Sequence, residues 1–413
     1  MALPSHIVIV GGGVFGLSTA LALTKRHPES QITVVDRGPI PDPAKWPVDN
    51  SRIVRADYAN VAYSKLATIA IERWRNTDWG RNGRYTQNGL LLMYPDDGTS
   101  TKEYARKSYD NVKPVGRDNV EFLPSKADIL RAFPTADSDR LDVAGGYVNW
   151  GAGLSDVTAS LRFVKEQLDR EGKVVFHTGY ANRVLYDSPD DRPGSKPRAT
   201  GVALYGGLSI HADLVILATG SKTWTGLVSL RDGTVLTSRA TAFMRVSDEE
   251  QRELENLPTI HNIHTGICVL PPRDNCLKIA RCTYIYRHET PVNASEEDFT
   301  FPGNVVPILA TDAFRTVLKQ LLPQFADRSF SSLNVSRRAE SPKADFTVSY
   351  HPAYEGLFLA IGCSEHVSKF FPVIGDKVVD ALEGSLELEL RDLWAWTGGP
   401  VPVSNGEDGE DRF

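Results

Sequence analysis

A glycine-rich turn near the amino terminus has residues whose spacing suits the binding of a phosphate group. Gly11 to Gly16 read GGGVFG; they follow the strand-like run HIVIV and open a helix-like stretch, and Asp36 ends the next strand-like run. In such a turn Gly11 permits the tight bend, Gly13 lets the backbone approach a pyrophosphate, and Gly16 lets helix and strand pack closely. The N–H groups at the start of the helix attract the anion. The turn therefore predicts a dinucleotide site.

Asp36 and a later strand indicate which dinucleotide is bound. The Asp36 carboxylate can accept hydrogen bonds from ribose hydroxyls and would repel a 2′-phosphate, which disfavours NADP. DLVILATG (213–220) ends in Ala-Thr-Gly and resembles the second signature of FAD proteins with a glutathione-reductase-type fold. In such proteins backbone groups at the position of Val184 hold adenine. The two signals together favour FAD over NAD, with predicted contacts from Gly11, Gly13, Val14, Phe15, Gly16, Asp36, Arg37, Val184 and Gly220.

A second group of reactive side chains lies near the carboxyl end. Glu365, His366 and Lys369 stand between the apolar run GLFLAIG and another apolar segment. A buried cation is costly unless an anion lies beside it. From the residues alone, Lys369 is either a surface lysine at a strand-to-helix turn or a buried cation with an anionic partner.

Composition limits the class of partner. The chain has 413 residues, 41% of them hydrophobic, which is enough for two or three compact units. A formal net charge of −6 argues against nucleic-acid or anionic-membrane partners, which attract basic surfaces. Small molecules are therefore the expected partners.

Cysteine usage and the chain ends bear on the compartment. Cys268, Cys276, Cys282 and Cys363 show neither CxxC spacing nor disulfide-scaffold density, which favours a reducing compartment, and no pair stands at zinc spacing, so no metal is expected. The first residues lack a cationic secretory segment, and the last three are not a peroxisomal signal. We expect a cytoplasmic protein.

The order of elements predicts an α/β fold that is interrupted. A strand, helix and strand at the start predict a parallel sheet, residues 233–290 alternate like antiparallel strands, and a helix follows at 311–325. The strand-then-helix pattern returns near residue 356. We predict a discontinuous FAD-binding domain of residues 1–85, 145–225 and 340–390, a substrate domain of 86–144 and 226–339, and a disordered acidic tail at 397–413.

Four further segments carry a family resemblance. In order they are DNSRIVRADYANVAYSKLATIAIERWR (49–75), NCLKIAR (275–281), SPKADF (341–346) and GCSEHVSKFFPVIG (362–375). They resemble the monomeric sarcosine oxidase and fructosyl amino acid oxidase (amadoriase) family, to which saccharopine and pipecolate oxidases also belong. The resemblance spans about residues 5 to 385. It implies a glutathione-reductase-type FAD-binding Rossmann domain with an inserted antiparallel-sheet substrate domain. The implied enzyme is a monomer that oxidises a secondary amine of an amino acid to an imine, which hydrolyses, and reduces O2 to H2O2.

The resemblance assigns roles to four cations. Lys369 and Arg55 match positions that bind the substrate carboxylate, and Arg52 matches a basic residue at the reactive edge of the flavin. Lys278 matches the lysine that promotes O2 reduction by its fixed charge. Without the resemblance, Arg52 and Arg55 are interpreted just as readily as solvated charges, and Lys278 as a lysine on the solvent-facing side of a sheet. The resemblance also places Tyr58 and Glu365 at the substrate, and Ser51, Arg52, Ser336, Gly362 and Lys369 at FAD.

The chain departs from the family pattern at several positions. Ser336 stands where the family usually has the cysteine that bonds covalently to the flavin, so we predict noncovalent FAD. Glu365 replaces a glycine and either pairs with a cationic group of the substrate or points at solvent. Lys343 replaces an aspartate, and Cys282 stands where sarcosine oxidases tend to have histidine, which makes sarcosine itself a poor candidate.

Two other functions fit the same residues. One is a flavin-dependent amine dehydrogenase that passes its electrons to another acceptor. The other is a noncatalytic flavin-binding protein whose site has decayed, which the departures at Ser336 and Glu365 suggest and the presence of all four cations opposes.

Overall fold

The computed structural model describes residues 3–42, 51–95, 100–188, 194–220, 227, 235–282, 286–287, 305–340, 345–362 and 366–396. The predicted tail at 397–413, Lys343 and Glu365 lie outside these residues. Ser336 is described through its backbone, which lies in a strand.

The strands are numbered in chain order. They are β1 (His6–Val10), β2 (Gln31–Asp36), β3 (Arg52–Val54), β4 (Tyr85–Gln87), β5 (Leu90–Tyr94), β6 (Val120–Leu123), β7 (Gly145–Asn149), β8 (Gly153–Ser155), β9 (Val174–Thr178), β10 (Ala181–Asp187), β11 (Arg198–Leu204), β12 (Ser209–His211), β13 (Leu214–Leu217), β14 (Val235–Arg245), β15 (Thr259–Asn262), β16 (Ile267–Arg273), β17 (Cys276–Arg281), β18 (Tyr286–Arg287), β19 (Ser332–Glu340), β20 (Thr347–Tyr350) and β21 (Leu357–Ile361).

The helices are numbered in the same way. They are α1 (Val14–Arg26), α2 (Val61–Asn76), α3 (Ser100–Gly116), α4 (Lys126–Ala132), α5 (Val157–Glu171), α6 (Asp248–Leu254), α7 (Val305–Leu321), α8 (Phe371–Glu383) and α9 (Leu388–Leu393). Among the described residues, no helix combines the length and the apolar character needed to cross a bilayer.

Contacts within the chain define two compact units. The first comprises the described residues of 1–50, 156–235 and 339–402, and the second those of 51–155 and 236–338. The predicted boundaries differ, since they assign 51–85 and 145–155 to the first unit. These segments belong with the second because β3 and β4 both pair with β8, and β7 pairs with β5.

The first unit contains a six-stranded sheet in the order β20-β21-β13-β1-β2-β9. All neighbours are parallel except β20 and β21, as the strand-helix-strand pattern predicts. Helices α1 and α8 cross closely, because a Cβ added at Gly375 would lie 2.0 Å from the backbone oxygen of Ser18. A separate antiparallel sheet, β10-β11-β12, completes the unit.

The second unit contains a large sheet in the order β18-β14-β17-β16-β15-β5-β7-β6, with β19 paired to β14. The region predicted to be antiparallel forms β14 to β18, whose described pairings with one another are antiparallel. β15 also pairs with β5, and that pairing is parallel. One face packs on α7 through Phe314 and Leu318. Helix α7 ends at Leu321, four residues before the predicted end, because Pro323 cannot continue it and opens a short 3-10 turn. The architecture confirms the predicted α/β fold with an inserted, mainly antiparallel sheet.

Candidate active site

The glycine turn joins β1 to α1 with little room for side chains. Gly11 has a φ of +111°, and a Cβ there would lie 2.4 Å from the backbone oxygen of Ala218. A Cβ at Gly16 would lie 1.8 Å from the oxygen of Gly11. At Gly13, by contrast, no atom of the described residues lies within 4 Å of an added Cβ. The turn is therefore tight where the chain packs on itself and open where a pyrophosphate would approach.

The start of α1 suits an anion. Gly13 precedes the helix and provides no side-chain cap, and the first turn contains no acidic residue. The N–H groups of the first turn and the positive end of the helix dipole are therefore suited to bind a phosphate. The residues present at this position fit the dinucleotide that the sequence predicts.

Asp36 lies at the end of β2 and faces the glycine turn. Its Oδ2 accepts a hydrogen bond from the backbone N–H of Gly12 at 2.8 Å, and Gly38 N–H approaches Oδ1 at 3.4 Å. The carboxylate is half-buried. Asp36 therefore fixes the turn and also places an acceptor beside it, where a ribose would lie.

The other predicted FAD contacts of the first unit lie at strand ends or in buried elements. Val14 and Phe15 are buried in the first turn of α1, Val184 is buried in β10, and Arg37 is exposed after β2. Gly220 follows β13 with a φ of +61°, and Gly362 follows β21 with a φ of +78°. Their contacts with FAD stay predictions.

Lys369 is buried, with 5% of its surface exposed, in a short 3-10 helix that precedes α8. Its Nζ lies 5.9 Å from the ring centroid of Phe370. His366 stacks on Phe346, with ring centroids 4.6 Å apart. The interpretation of Lys369 as a surface lysine is therefore wrong, because its side chain is buried and its ammonium group lies near the ring of Phe370.

Arg55 is one of two predicted cations of the second unit that are almost completely buried. It is 6% exposed, and its Cζ lies 4.7 Å from the ring centroid of Tyr58. Among the described residues, no group hydrogen-bonds to its buried Nη1. Arg52, in β3, is half-buried and lies opposite Ser155. Arg55 is therefore not a solvated charge, and it has a donor to offer a ligand.

A buried carboxylate beside Arg55 was not predicted. Asp57 is fully buried and accepts hydrogen bonds from Asn149 Nδ2 at 3.1 and 3.0 Å, and Tyr147 also hydrogen-bonds to it. Burial raises the pKa of Asp57, and the charge of Arg55 and these hydrogen bonds oppose that rise. Only the pairing of an arginine and an aspartate in RADY hinted at this arrangement in the sequence.

Electrostatics keep Arg55 charged and its aromatic neighbours neutral. Burial by itself lowers the pKa of Arg55, but Tyr104, Tyr58 and Asp57 outweigh it, so the net shift is upward. Burial also raises the pKa of Tyr58 and that of Tyr147. The site thus contains a permanent cation among phenol groups that do not ionise near neutral pH.

Lys278 lies on β17 with its side chain turned away from the main core. Leu277 and Ile279 face that core, as the alternation of the strand predicts. Lys278 is nonetheless 6% exposed, and its Nζ donates a hydrogen bond of 2.8 Å to the backbone oxygen of the buried Ser51. The interpretation as a lysine on a wet face is therefore wrong.

A second feature that sequence reasoning missed lies on the same face of this sheet. Cys268 and Cys282 approach with their Sγ atoms 2.6 Å apart, and the ring of His261 lies nearby. The sequence separates the two cysteines by a β-hairpin, so linear spacing gave no signal.

Taken together, these groups can bind anions. The first unit offers the start of α1 and a buried Lys369, and the second offers Arg55 and Lys278. Each cation is held in a poorly solvated setting, where its interaction with a carboxylate or a developing negative charge is strengthened.

Comparison with known proteins identifies the family of the chain. The chain is 30% identical to the amino acid oxidase imqH of Aspergillus flavus, over 97% of this chain and 99% of the relative. It is 30% identical to the L-saccharopine oxidase of Schizosaccharomyces pombe, over 94% and 92%. Its fold matches that of the fructosamine oxidase Amadoriase II from Aspergillus fumigatus, solved in complex with FSA, with a TM-score of 0.80, 22% identity, and coverage of 99% and 93%. The model of the FAD dependent oxidoreductase (DAO) family matches residues 6–381, and the chain belongs to this family.

Proposed function

We propose that the protein is an FAD-dependent oxidase of a secondary amine in an N-substituted amino acid. The observation that carries the substrate class is Arg55, a buried guanidinium with one nitrogen that no described group hydrogen-bonds. A planar guanidinium binds a carboxylate through parallel hydrogen bonds and so fixes its orientation. The names of two relatives, amino acid oxidase and L-saccharopine oxidase, support an amino acid as the substrate.

The residues of this chain orient the substrate and stabilise charge. FAD, when bound, accepts a hydride equivalent from the carbon beside the amine and passes the electrons to O2. Arg55 binds the carboxylate, and we assign Lys369 to the same group. Asp57 and Asn149 hold the segment that carries Arg55, and the phenol of Tyr58 lies against its guanidinium.

Lys278 favours an oxidase over a dehydrogenase. Its ammonium group is buried and held by the backbone of Ser51, so it presents a fixed positive charge. A preorganised charge in a poorly solvated site lowers the barrier to forming an anion such as superoxide. A dehydrogenase has no such need for a buried cation.

We further propose that FAD is bound without a covalent bond, because Ser336 lacks the thiolate that would attack the flavin. Denaturing the purified protein with acid tests this point. Yellow colour is expected in the supernatant. A colourless supernatant above a yellow pellet contradicts the proposal.

The substrate class is tested under anaerobic conditions by the bleaching of the oxidised flavin. N-substituted amino acids should bleach it, and amines that match them but lack the carboxylate should do so far more slowly. Equal rates with and without the carboxylate contradict the role of Arg55. Measurement of H2O2 formed with and without an artificial electron acceptor then separates an oxidase from a dehydrogenase.

A further inference from the structure

Cys268 on β16 and Cys282, the residue that follows β17, form a close thiol pair in the second unit. β16 and β17 run antiparallel with Cys268 opposite Ala280, and the N–H of Cys282 donates to the oxygen of Gly266 at 2.7 Å. Residues two apart on a strand share a face, so both sulfur atoms project from the same side. The Sγ atoms lie 2.6 Å apart. Little movement is therefore needed to join them.

The pair lies on the face that carries the candidate catalytic lysine. Cys268 is fully buried with Leu154 and Leu270, while Cys282 is partly exposed and packs against the same cluster. Lys278 shares this face because it lies four residues before Cys282 on alternating backbone. Cys282 is thus the sulfur that a small oxidant reaches first.

Burial and nearby charges act on the Cys268 thiol in opposite directions. Burial raises the pKa of the Cys268 thiol, and the neighbouring Cys282 adds to that rise. Arg55 and Lys278 act in the opposite direction, which places both cations within electrostatic range of the sulfur. A thiol in this position resists spontaneous ionisation but has positive charge nearby to support a transient thiolate.

The same side chains could instead bind a metal ion. The ligand atoms of His261, Cys268 and Cys282 all lie within 4.8 Å of one another. Two sulfur ligands on one tetrahedral zinc, each at about 2.3 Å, stand well over 3 Å apart, which is farther than the two Sγ atoms lie here. The cations that reach Cys268 also repel a metal ion. The geometry therefore favours a bond between the sulfurs.

We propose that Cys268 and Cys282 are a modification site at which hydrogen peroxide forms a disulfide. Peroxide oxidises the thiol of Cys282 to a sulfenic acid and releases one water. The thiol of Cys268 then attacks that sulfur, its proton leaves with the hydroxyl as a second water, and the S–S bond forms. Two thiols lose two electrons in total and one peroxide gains them. The source of peroxide in the cell rests on the proposed oxidase function.

The test uses the holoenzyme and added H2O2, which makes it independent of turnover. After treatment and alkylation of the remaining thiols, nonreducing peptide mapping should reveal a peptide that links Cys268 to Cys282 and disappears on reduction. The link should form equally in the control Cys276→Ser, because Cys276 lies on β17 but outside the pair. It should be lost in Cys282→Ser and in Cys268→Ala, the latter chosen because position 268 is apolar and buried.

Three outcomes overturn the proposal. One is oxidation of Cys282 to a sulfinic acid while the thiol of Cys268 stays intact. Another is the absence of any linked peptide from protein whose thiols have been consumed. The third is one equivalent of zinc or copper in the purified protein that is lost in Cys282→Ser, since these side chains would then bind a metal.

A second experiment tests the thiol pair and the proposed oxidase function separately. The enzyme is incubated with an N-substituted amino acid and O2, with and without catalase. A link that forms during turnover and is prevented by catalase supports both proposals. A link that forms with added H2O2 and never during turnover supports the thiol pair and contradicts peroxide production by the enzyme.

Discussion

Replacing Arg55 with methionine tests two roles of this side chain: its contribution to the stability of the second unit and its proposed binding of the substrate carboxylate. Arg55 and Asp57 are both buried, with exposures of 6% and 0%. Removing the cation leaves the buried carboxylate of Asp57 without the positive charge that opposes the rise in its pKa, and leaving a buried charge uncompensated costs up to about 3–5 kcal/mol. The double variant Arg55→Met/Asp57→Asn leaves no buried charge without a partner, and the oxygen of the new amide can still accept one of the two hydrogen bonds that Asn149 donates to Asp57. We expect it to recover most of the lost stability.

Ligand binding should respond differently from stability. A carboxylate that loses hydrogen bonds from a charged donor loses about 1.5–3 kcal/mol, which is about a 10- to 100-fold increase in Kd. This loss of affinity should be the same in Arg55→Met and in the double variant with Asp57→Asn, since both lack the guanidinium at position 55. The free energy of unfolding is measured by urea titration. The Kd of a carboxylate ligand is measured from its perturbation of the flavin absorption spectrum.

A matched control comes from another buried arginine of the same unit. Arg84 is also buried, but its Nε donates to the backbone oxygen of Trp79 at 3.1 Å, and its Nη2 donates to the oxygen of Asp78. Arg84→Met should lower stability and leave the Kd of the carboxylate ligand within about twofold of the wild-type value. The N–H groups of Arg84 hydrogen-bond to backbone oxygens of the protein and not to a ligand. Wild-type affinity in the double variant at positions 55 and 57, or an equal loss of affinity in Arg84→Met, would refute the assignment of Arg55.

Three other substitutions test separate parts of the chain. Lys278→Met should slow reoxidation of the reduced flavin about 100-fold and leave its reduction by substrate nearly unchanged, as stopped-flow absorbance can show; equal slowing of both contradicts the role. Gly13→Ala should lower the ratio of flavin to protein without lowering the melting temperature of the flavin-free protein, whereas Gly16→Ala should lower both, because its Cβ would lie 1.8 Å from a backbone oxygen of the same turn. The hydrogen bond from Arg328 lowers the pKa of Glu250 to about 2, so this group stabilises the fold above its unfolded pKa and loses that effect as pH falls from about 4.5 to 2. Glu250→Gln should therefore unfold about 0.5–1 kcal/mol more easily at pH 7, a small value because the pair is partly exposed, and a gap that does not narrow in acid contradicts the assignment.

The conformation of the glycine turn could be predicted from sequence because its signals are local. The glycine turn, the strand before it and Asp36 all lie within the first 36 residues, and each has a conformational reason to be the residue it is. Gly11 needs its positive φ, and Gly16 has no room for a Cβ. Helix α2 (61–76) is likewise local, since its apolar residues repeat at helical spacing and Asn60 caps its first turn.

The features that sequence reasoning missed depend on contacts between distant segments. Asp57 is buried because Asn149, ninety-two residues later, provides donors for its carboxylate. Cys268 and Cys282 meet because a hairpin brings their strands together in one register. The predicted domain boundaries differ from the compact units for the same reason, since β3 pairs with β8 across about one hundred residues. Periodicity and propensity carry no information about such pairings.

The buried cations of the second unit are better explained by a ligand than by folding. A buried ion pair contributes little to stability compared with apolar residues of similar size, because desolvation of the charges offsets their attraction. Arg84 shows what a structural arginine does here, since it donates to carbonyl oxygens of a nearby turn. Arg55 instead lies beside an acidic residue and an aromatic ring, with one Nη1 that no described group hydrogen-bonds. An incoming carboxylate would satisfy that donor and add a second negative charge next to the guanidinium, which the fold alone does not provide. We propose that binding of an anionic substrate offsets the energetic cost of burying Arg55, so its replacement should affect affinity even after stability has been restored.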